Sequence, residues 1–334
     1  MKEVLAKLVE RKNLSREEVR RAMSIIMGGE ATPAQIAGFL VALRIKGETV
    51  DEITGCAEEM RARAAKVKAP SGCVDTCGTG GDSSHTFNIS TAAALVVAAA
   101  GVPVAKHGNR GVSSKSGSAD VLEVLGVKID APIETMERCI AETRFCFLFA
   151  PLMHSAMKHV GGPRRELALR TVFNILGPLT NPAGAKRQLL GVFSAALVRP
   201  LAEVLRNLGS ERALVVHGEG GLDEISPFGK TIYVLLTEDG RLTEGVLSPQ
   251  DAGLKPVTEK LVVTTPQESA ALILRVLKGE KIPERTAVLM NAGGALWAAG
   301  KTANFKDGVK KAAEVIDSGA ATATLQSVIK ITNG

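Results

Sequence analysis

After Pro70 the chain alternates short, nearly continuous apolar segments with helical stretches, and this alternation limits the possible fold more than any other feature. Val102 to Ala105, Phe145 to Phe149, Leu189 to Phe193, Ala213 to Val216 and Ile232 to Leu236 read as short β-rich segments. Strands that are apolar throughout and separated by helices indicate a largely parallel sheet covered on both faces. The expected class is therefore α/β, with a mostly parallel central sheet. Between Leu235 and Leu247, Asp239-Gly240 separates two apolar runs as in a hairpin, so an antiparallel strand is expected to join late.

The first 65 residues have a different texture. Ser15 with Glu18, Thr32 with Pro33 and Gln35, and Thr49 with Glu52 are three successive helix-start signals. Gly28 and Gly47 fall where the first two of these helices would close, and an earlier helix is expected over Lys2 to Glu10. A small helical unit of four short helices thus precedes the sheet-forming part.

With 334 residues and 45% hydrophobic content, the chain can bury a sizeable core. Its longest apolar stretch, Ala92 to Ala105, is broken by Gly101 and Pro103 and is too short to span a bilayer, and no N-terminal apolar run follows a basic stub. Export and membrane insertion are not expected. Cys56, Cys73, Cys77, Cys139 and Cys146 are scattered and lack the paired spacings of a zinc site or disulfide framework, which suits a reducing cytoplasm. The net charge of +6 favours anionic ligands, while 3% aromatic content supplies few stacking platforms for single-stranded nucleic acid. A small anionic substrate is the better expectation.

Four segments could carry chemistry. Asp75-Thr76-Cys77-Gly78-Thr79-Gly80-Gly81-Asp82 continues through Thr86, Asn88, Ile89, Ser90 and Thr91 to the apolar helix Ala92 to Ala100. Glycines remove the Cβ atoms that keep a backbone from a phosphate, and a helix N-terminus offers unpaired N–H groups, so the segment reads as an anion cradle. An ordinary capped turn is the alternative. A second loop, Lys106-His107-Gly108-Asn109-Arg110-Gly111-Val112-Ser113-Ser114 through Ser118, is rich in donors suited to a ribose phosphate or diphosphate, with a solvated basic loop as its alternative.

Asp223 and Glu224 follow the strand Ala213 to Val216, and adjacent acids facing phosphate loops suit Mg²⁺, although a solvated turn would explain the pair as well. The fourth segment runs from Pro151 and His154 through Gly162-Pro163-Arg164 to Pro178 and Asn181. In it Arg164 could present a planar fork to a carboxylate.

Taken in order, Gly78 to Asp82, Thr86 to Thr91, Lys106 to Ser118, Arg164 to Asn181, His217 to Ser226 and Asn291 to Leu296 closely resemble the anthranilate phosphoribosyltransferase family. The resemblance extends from the N-terminal helices to the C-terminus. It implies a nucleoside-phosphorylase-like fold: residues 1–68 form a helical domain, joined in space by helices near 163–182, and residues 70–162 and 183–334 form the α/β domain. The same resemblance implies a homodimer formed through the helical domain.

The implied reaction transfers the 5-phosphoribosyl group of phosphoribosyl diphosphate to the amine of anthranilate, with Mg²⁺ as cofactor. By resemblance, Gly78, Gly81, Asp82, Thr86, Asn88, Ile89, Ser90, Thr91, Lys106, His107, Gly108, Asn109, Arg110, Gly111, Val112, Ser113, Ser114 and Ser118 bind phosphoribosyl diphosphate. Gly78, His107, Asn109, His154, Arg164 and Pro178 surround anthranilate, and Ser90, Asp223 and Glu224 organise the metal. Lys106 and Arg164 act as electrostatic and positioning groups, and no dedicated acid or base is implied. Cys77, Ser83-Ser84-His85 and Lys158-His159 depart from the usual family pattern.

Two other readings compete. A pyrimidine nucleoside phosphorylase shares the fold type but is expected to carry a Lys-His-Ser-Gly-Arg-like second loop, where this chain has Lys106-His107-Gly108-Asn109-Arg110. A nucleic-acid-binding protein of related fold would use the basic surface; Asp223, Glu224, Asn109, Arg164 and the scarcity of aromatics argue against it. Neither nucleic acid nor membrane is an expected partner.

Overall fold

The structure, a computed structural model, describes residues 1–82, 84–111 and 116–334. Its chain opens with helices α1 (Lys2–Val9), α2 (Arg16–Met27), α3 (Pro33–Lys46) and α4 (Val50–Arg63). Ser15 and Glu18, Thr32 and Gln35, and Thr49 and Glu52 form reciprocal capping boxes, as their spacing predicts. At the end of α2, Gly28 keeps a right-handed conformation and Gly29 takes the left-handed one, so the chain turns one residue later than the sequence suggests.

The sheet-forming part begins with β1 (Val74–Gly78), α5 (Ile89–Ala99), β2 (Val104–Gly108), α6 (Ser118–Val124), α7 (Ile133–Thr143) and β3 (Phe145–Phe149). It continues through α8 (Ala150–Met153), α9 (Lys158–Leu167) and α10 (Phe173–Leu176) to β4 (Arg187–Gly191), α11 (Val198–Asn207) and β5 (Arg212–Gly218). A hairpin of β6 (Thr231–Leu236) and β7 (Leu242–Leu247) precedes α12 (Pro266–Leu277), α13 (Pro283–Ala298), α14 (Phe305–Asp317) and α15 (Ala320–Asn333).

Among the described residues these strands form one seven-stranded sheet in the order β3-β2-β1-β4-β5-β6-β7. Pairing is parallel from β3 to β5 and antiparallel for β6 and β7, so the mostly parallel sheet and the late hairpin match expectation. The five apolar segments all become strands, with boundaries shifted by up to three residues. β1, the strand expected ahead of the Gly-rich loop, lacks an apolar run, because Val74-Asp75-Thr76-Cys77-Gly78 places a buried carboxylate inside the sheet.

The two sheet faces bury alternate residues, as the period of a strand requires. Leu189, Leu214, Val216 and Leu235 pack with α5, α13 and α15 in one core, whereas Leu190, Ala213, Val215 and Leu236 face α11. That second core runs without a break into the helical unit through Val19, Met23, Leu40 and Ile53. Helix α9 packs on α2 and α3, and α10 packs on α4, so the segment between β3 and β4 lies against the first helices. α5 is enclosed on nearly every side, which explains its uniformly apolar sequence.

A buried ion pair ties the helical unit together. Glu52, 0% exposed, accepts the Leu14 amide at 2.9 Å with Oε1, while Oε2 accepts the Thr49 amide and Lys46 Nζ, both at 2.8 Å. Lys46 Nζ also donates to Asn13 Oδ1, so this pair links the α1–α2 turn to the α3–α4 turn. Glu52→Ala should destabilise the protein by about 3–5 kcal/mol, because a buried ammonium would lose its partner. Urea unfolding measures this cost; a value below about 1 kcal/mol would show the pair to be dispensable.

Candidate active site

Strand order reverses at β1, whose connection through α5 runs to β2 on one side while β4 is its neighbour on the other. The carboxyl ends of β1 and β4 therefore frame the crevice where open α/β sheets bind ligands. Gly78 and Gly191 are register partners at those ends, and Gly218 closes β5 beside them.

The Asp223-Glu224 turn sits on these three glycines. A Cβ on Gly191 would lie 1.6 Å from the Asp223 carbonyl oxygen, one on Gly78 would lie 2.2 Å from Asp223 Oδ2, and one on Gly218 would lie 2.6 Å from the Glu224 carbonyl oxygen. Side chains at these strand ends would lift the turn off the sheet. Only Gly78 among the three was assigned a role from the sequence; Gly191 was missed, since a glycine closing a strand carries no local signal of what crosses it.

Both acids hold the Gly-rich segment through its backbone. Asp223 Oδ2 accepts the Gly80 amide at 2.6 Å, and Glu224 Oε1 accepts the Ser90 amide at 3.1 Å in the first turn of α5. A carboxylate there is favoured by the partial positive charge of the helix N-terminus. Helix α5 starts at Ile89, earlier than expected, because the Asn88 carbonyl already accepts the Thr91 and Ala92 amides. Burial raises the pKa values of Asp223 and Glu224; Asp82 raises that of Asp223 further, and Asp223 that of Glu224. A cation bound between them would relieve this repulsion.

Behind the turn lies a buried polar network. Lys106, 1% exposed, donates from Nζ to the Thr76 carbonyl at 2.5 Å and to Ser90 Oγ at 3.2 Å. Burial lowers its pKa, and the charge of Asp75 opposes that shift most strongly. Asp75 accepts the His107 amide at 3.1 Å and Asn181 Nδ2 at 2.7 Å, and burial pushes its carboxyl up to about 6. Neither Asp75 nor Asn181 was assigned a role from the sequence. A carboxylate inside a central strand and an amide about a hundred residues away reveal their partnership only once folded.

His107 and His154 face each other across the next strand end, with Nε2 atoms 3.2 Å apart. His107 Nδ1 lies 3.1 Å from the Gly177 carbonyl and must donate to it, which leaves Nε2 of the neutral ring as an acceptor facing His154. Pro178, buried beside Gly177, gives its carbonyl to Gln188 Nε2 at 2.7 Å. Burial pushes His107 down to about 3, helped by His154, and pushes His154 down to about 4.

Both folded values lie below that of an unfolded histidine, so the unfolded chain binds more protons in that interval and stability falls with acidification below about pH 6.5. Between about pH 7.5 and pH 5, the wild type should lose about 2 kcal/mol per histidine more than the His107→Gln, His154→Gln double variant. Equal losses in urea titrations of the two proteins would contradict this burial of neutral imidazoles.

The second loop is held by its own residues. Asp120 Oδ2 accepts the Gly111 and Gly117 amides, both at 2.9 Å, and Ser118 Oγ donates to the Asn109 carbonyl at 3.3 Å. The Asn109 side chain accepts the Arg110 amide at 2.8 Å, while the Arg110 guanidinium is engaged by Asp120 and Glu123 on α6. Gly108 leaves room for Ser118 Oγ, which would lie 2.2 Å from a Cβ. Val112, Ser113 and Ser114 lie outside the described residues.

Asn88 joins the loops: its amide donates to the Ser116 carbonyl at 3.0 Å and accepts Ser116 Oγ at 2.6 Å and Ser269 Oγ at 2.7 Å. Thr86 forms an isolated bridge with Val262, and Ile89 is buried in the core. The buried Thr91 hydroxyl has no hydrogen-bond partner among the described residues.

Arg164 stands apart. It is half-buried on α9, its guanidinium 5.3 Å from the Phe173 ring centroid, and burial lowers its pKa. Among the described residues no carboxylate pairs with it. Arg170, which the sequence reading passed over, donates to the Gly81 carbonyl and stacks 4.5 Å from the Phe193 ring centroid, linking the α9–α10 connection to the Gly-rich loop.

The Asp223, Glu224 and Ser90 oxygens are hard donors suited to Mg²⁺. No group of three or more His, Cys, Asp or Glu side chains among the described residues forms a ready-made metal cage.

Residues 71–322 match the glycosyl transferase family a/b domain, and residues 2–64 match the helical bundle domain of the same family. An anthranilate phosphoribosyltransferase of Pelotomaculum thermopropionicum is 53% identical over 99% of this chain and 96% of its own length. The chain belongs to the anthranilate phosphoribosyltransferase family.

Solved structures of that family superpose on nearly the whole fold. The Thermus thermophilus enzyme is 45% identical, with a TM-score of 0.93 and 99% of each chain covered. The Saccharomyces cerevisiae enzyme in complex with PRPP and Mg is 29% identical, with a TM-score of 0.90, and covers 99% of this chain and 97% of its own. The family's small helical domain and larger α/β domain with a mostly parallel sheet are thus the architecture of this chain.

Proposed function

We propose that this protein transfers the 5-phosphoribosyl group from phosphoribosyl diphosphate to the amine of anthranilate, giving N-(5-phosphoribosyl)anthranilate and diphosphate in tryptophan biosynthesis. The observation that carries this reading is the seating of Asp223-Glu224 on Gly78, Gly191 and Gly218, with its carboxylates on the Gly-rich loop and the start of α5. Full-length similarity to anthranilate phosphoribosyltransferases, including one in complex with PRPP and Mg, supports it.

In this reading the Gly78–Thr91 segment and the Lys106–Ser118 loop bind phosphoribosyl diphosphate. Asp223, Glu224 and Ser90 hold Mg²⁺, which when bound offsets the charge gathering on diphosphate. Lys106 adds a fixed positive charge from behind β1. The ribose C1–O bond to diphosphate breaks with its electron pair going to diphosphate, C1 gains oxocarbenium character, and the amine nitrogen forms the new C1–N bond and then loses a proton to water. An aromatic amine attacks as a neutral nucleophile, so positioning matters more than a strong base. Asn109 and Arg164 hold anthranilate, Arg164 by its carboxylate, while His107, His154 and Pro178 shape its tunnel.

Diphosphate release tests the reading. Release should require anthranilate as well as phosphoribosyl diphosphate and Mg²⁺, and should be lost in Asp223→Asn, Glu224→Gln. Release at an unchanged rate without anthranilate would reject transfer, and unchanged Mg²⁺ dependence in the double variant would reject the metal assignment.

The same reading divides the chain into a helical domain, residues 1–68 with the helices near 163–182, and an α/β domain, residues 70–162 and 183–334. It also includes a cytoplasmic homodimer, supported by five free cysteines and by exposed Val9 and Ile45 on the helical unit. Sedimentation equilibrium at twice the 35.0 kDa chain mass is the expected result, and a monomer at all concentrations would refute the dimer.

A further inference from the structure

We infer that Asn291 on α13 is a positioning residue for the Asp223-Glu224 turn, acting through a two-sided clamp on the backbone of Ile225. This inference rests on the metal-organising role proposed for that turn. Asn291 is 0% exposed; its Oδ1 accepts the Ile225 amide at 2.8 Å, and its Nδ2 donates to the Ile225 carbonyl at 2.9 Å and to the Ala287 carbonyl at 3.0 Å. The side-chain amide thus satisfies both polar backbone groups of Ile225, as a neighbouring strand would.

The other end of the turn is fixed by backbone alone. Gly218 and Leu222 exchange N–H to carbonyl hydrogen bonds of 2.8 and 3.1 Å. Asp223 and Glu224 are therefore bracketed by two bonds from β5 and two from Asn291. The Ile225 side chain completes the second anchor: it is fully buried, and a Cβ on Gly294, one turn beyond Asn291, would lie 2.3 Å from Ile225 Cδ1. Gly294 is the socket that lets Ile225 seat against α13.

A core asparagine with only a packing role would stabilise α13 without regard to the acidic turn. The bonds here go instead to the residue immediately after Glu224, so freeing that residue loosens the carboxylates while β5 and α13 remain in place. Partners that orient metal ligands commonly alter metal affinity by about 10- to 100-fold.

The test measures Mn²⁺ binding, by electron paramagnetic resonance in the presence of phosphoribosyl diphosphate, for wild type, Asn291→Ala and Gly294→Ala. Both variants should weaken Mn²⁺ binding by at least about tenfold, with KM for anthranilate little changed and faster hydrogen exchange at the Ile225 amide. Gly294→Ala disturbs the socket while leaving the buried amide intact, so it carries the test if Asn291→Ala does not fold. Wild-type Mn²⁺ affinity in a folded variant with a released Ile225 amide would overturn the positioning role alone. Failure of the wild type to bind Mn²⁺ with phosphoribosyl diphosphate would overturn the functional reading, and this inference with it.

Discussion

Replacing Gly191 by alanine is expected to lower kcat/KM by about 100-fold or more while the sheet still forms, because misplacing reactive groups by about 1 Å can cost that much. Gly191 does not adopt a left-handed conformation, so an alanine meets no backbone strain there. The cost comes from what crosses it. The methyl group would stand 1.6 Å from the Asp223 carbonyl oxygen and 2.2 Å from its carbonyl carbon, which are backbone atoms that cannot rotate away. The acidic turn must rise, taking Asp223 from Gly80 and Glu224 from Ser90. Circular dichroism and a melting curve would confirm that the variant is folded, and near-wild-type activity in that folded variant would show that the turn's seat on β4 is unimportant.

Arg164→Ala is expected to raise KM for anthranilate by about 10- to 100-fold, corresponding to the roughly 1.5–3 kcal/mol of a hydrogen bond to a charged group. KM for phosphoribosyl diphosphate should change far less. The argument rests on an unpaired cation: α9 holds the guanidinium half-buried beside Phe173, burial lowers its pKa, and no carboxylate among the described residues compensates it. A planar carboxylate ligand would supply the missing partner with two parallel hydrogen bonds. Arg164→Lys should recover only part of the affinity, since an ammonium offers no fork. Equal effects on both substrates would reject the carboxylate role.

Periodicity and caps made the helical unit and most of the sheet legible, because Ser15-Glu18, Thr32-Gln35 and Thr49-Glu52 are local devices and strands such as Phe145–Phe149 are apolar throughout. β1 lacks that apolar signal. Its Asp75 is tolerated in the sheet only because Asn181, the His107 amide and Lys106 meet it there. The acidic pair was recognisable from its place after a strand, but its seat on Gly191 and its clamp by Asn291 join distant parts of the chain. Cys77 carries a polar neighbour in Gln188, whose Nε2 donates to Sγ at 3.0 Å, and burial raises its thiol pKa well above the usual value. It stands at the sheet end as a partly buried thiol.

The most direct test of phosphoribosyl transfer follows anthranilate fluorescence after purified protein, phosphoribosyl diphosphate and Mg²⁺ are mixed, with each component omitted in turn. Loss of fluorescence only in the complete mixture, with the phosphoribosyl adduct of anthranilate identified by mass, is the predicted result. Unchanged fluorescence with protein shown to be folded would contradict the assignment.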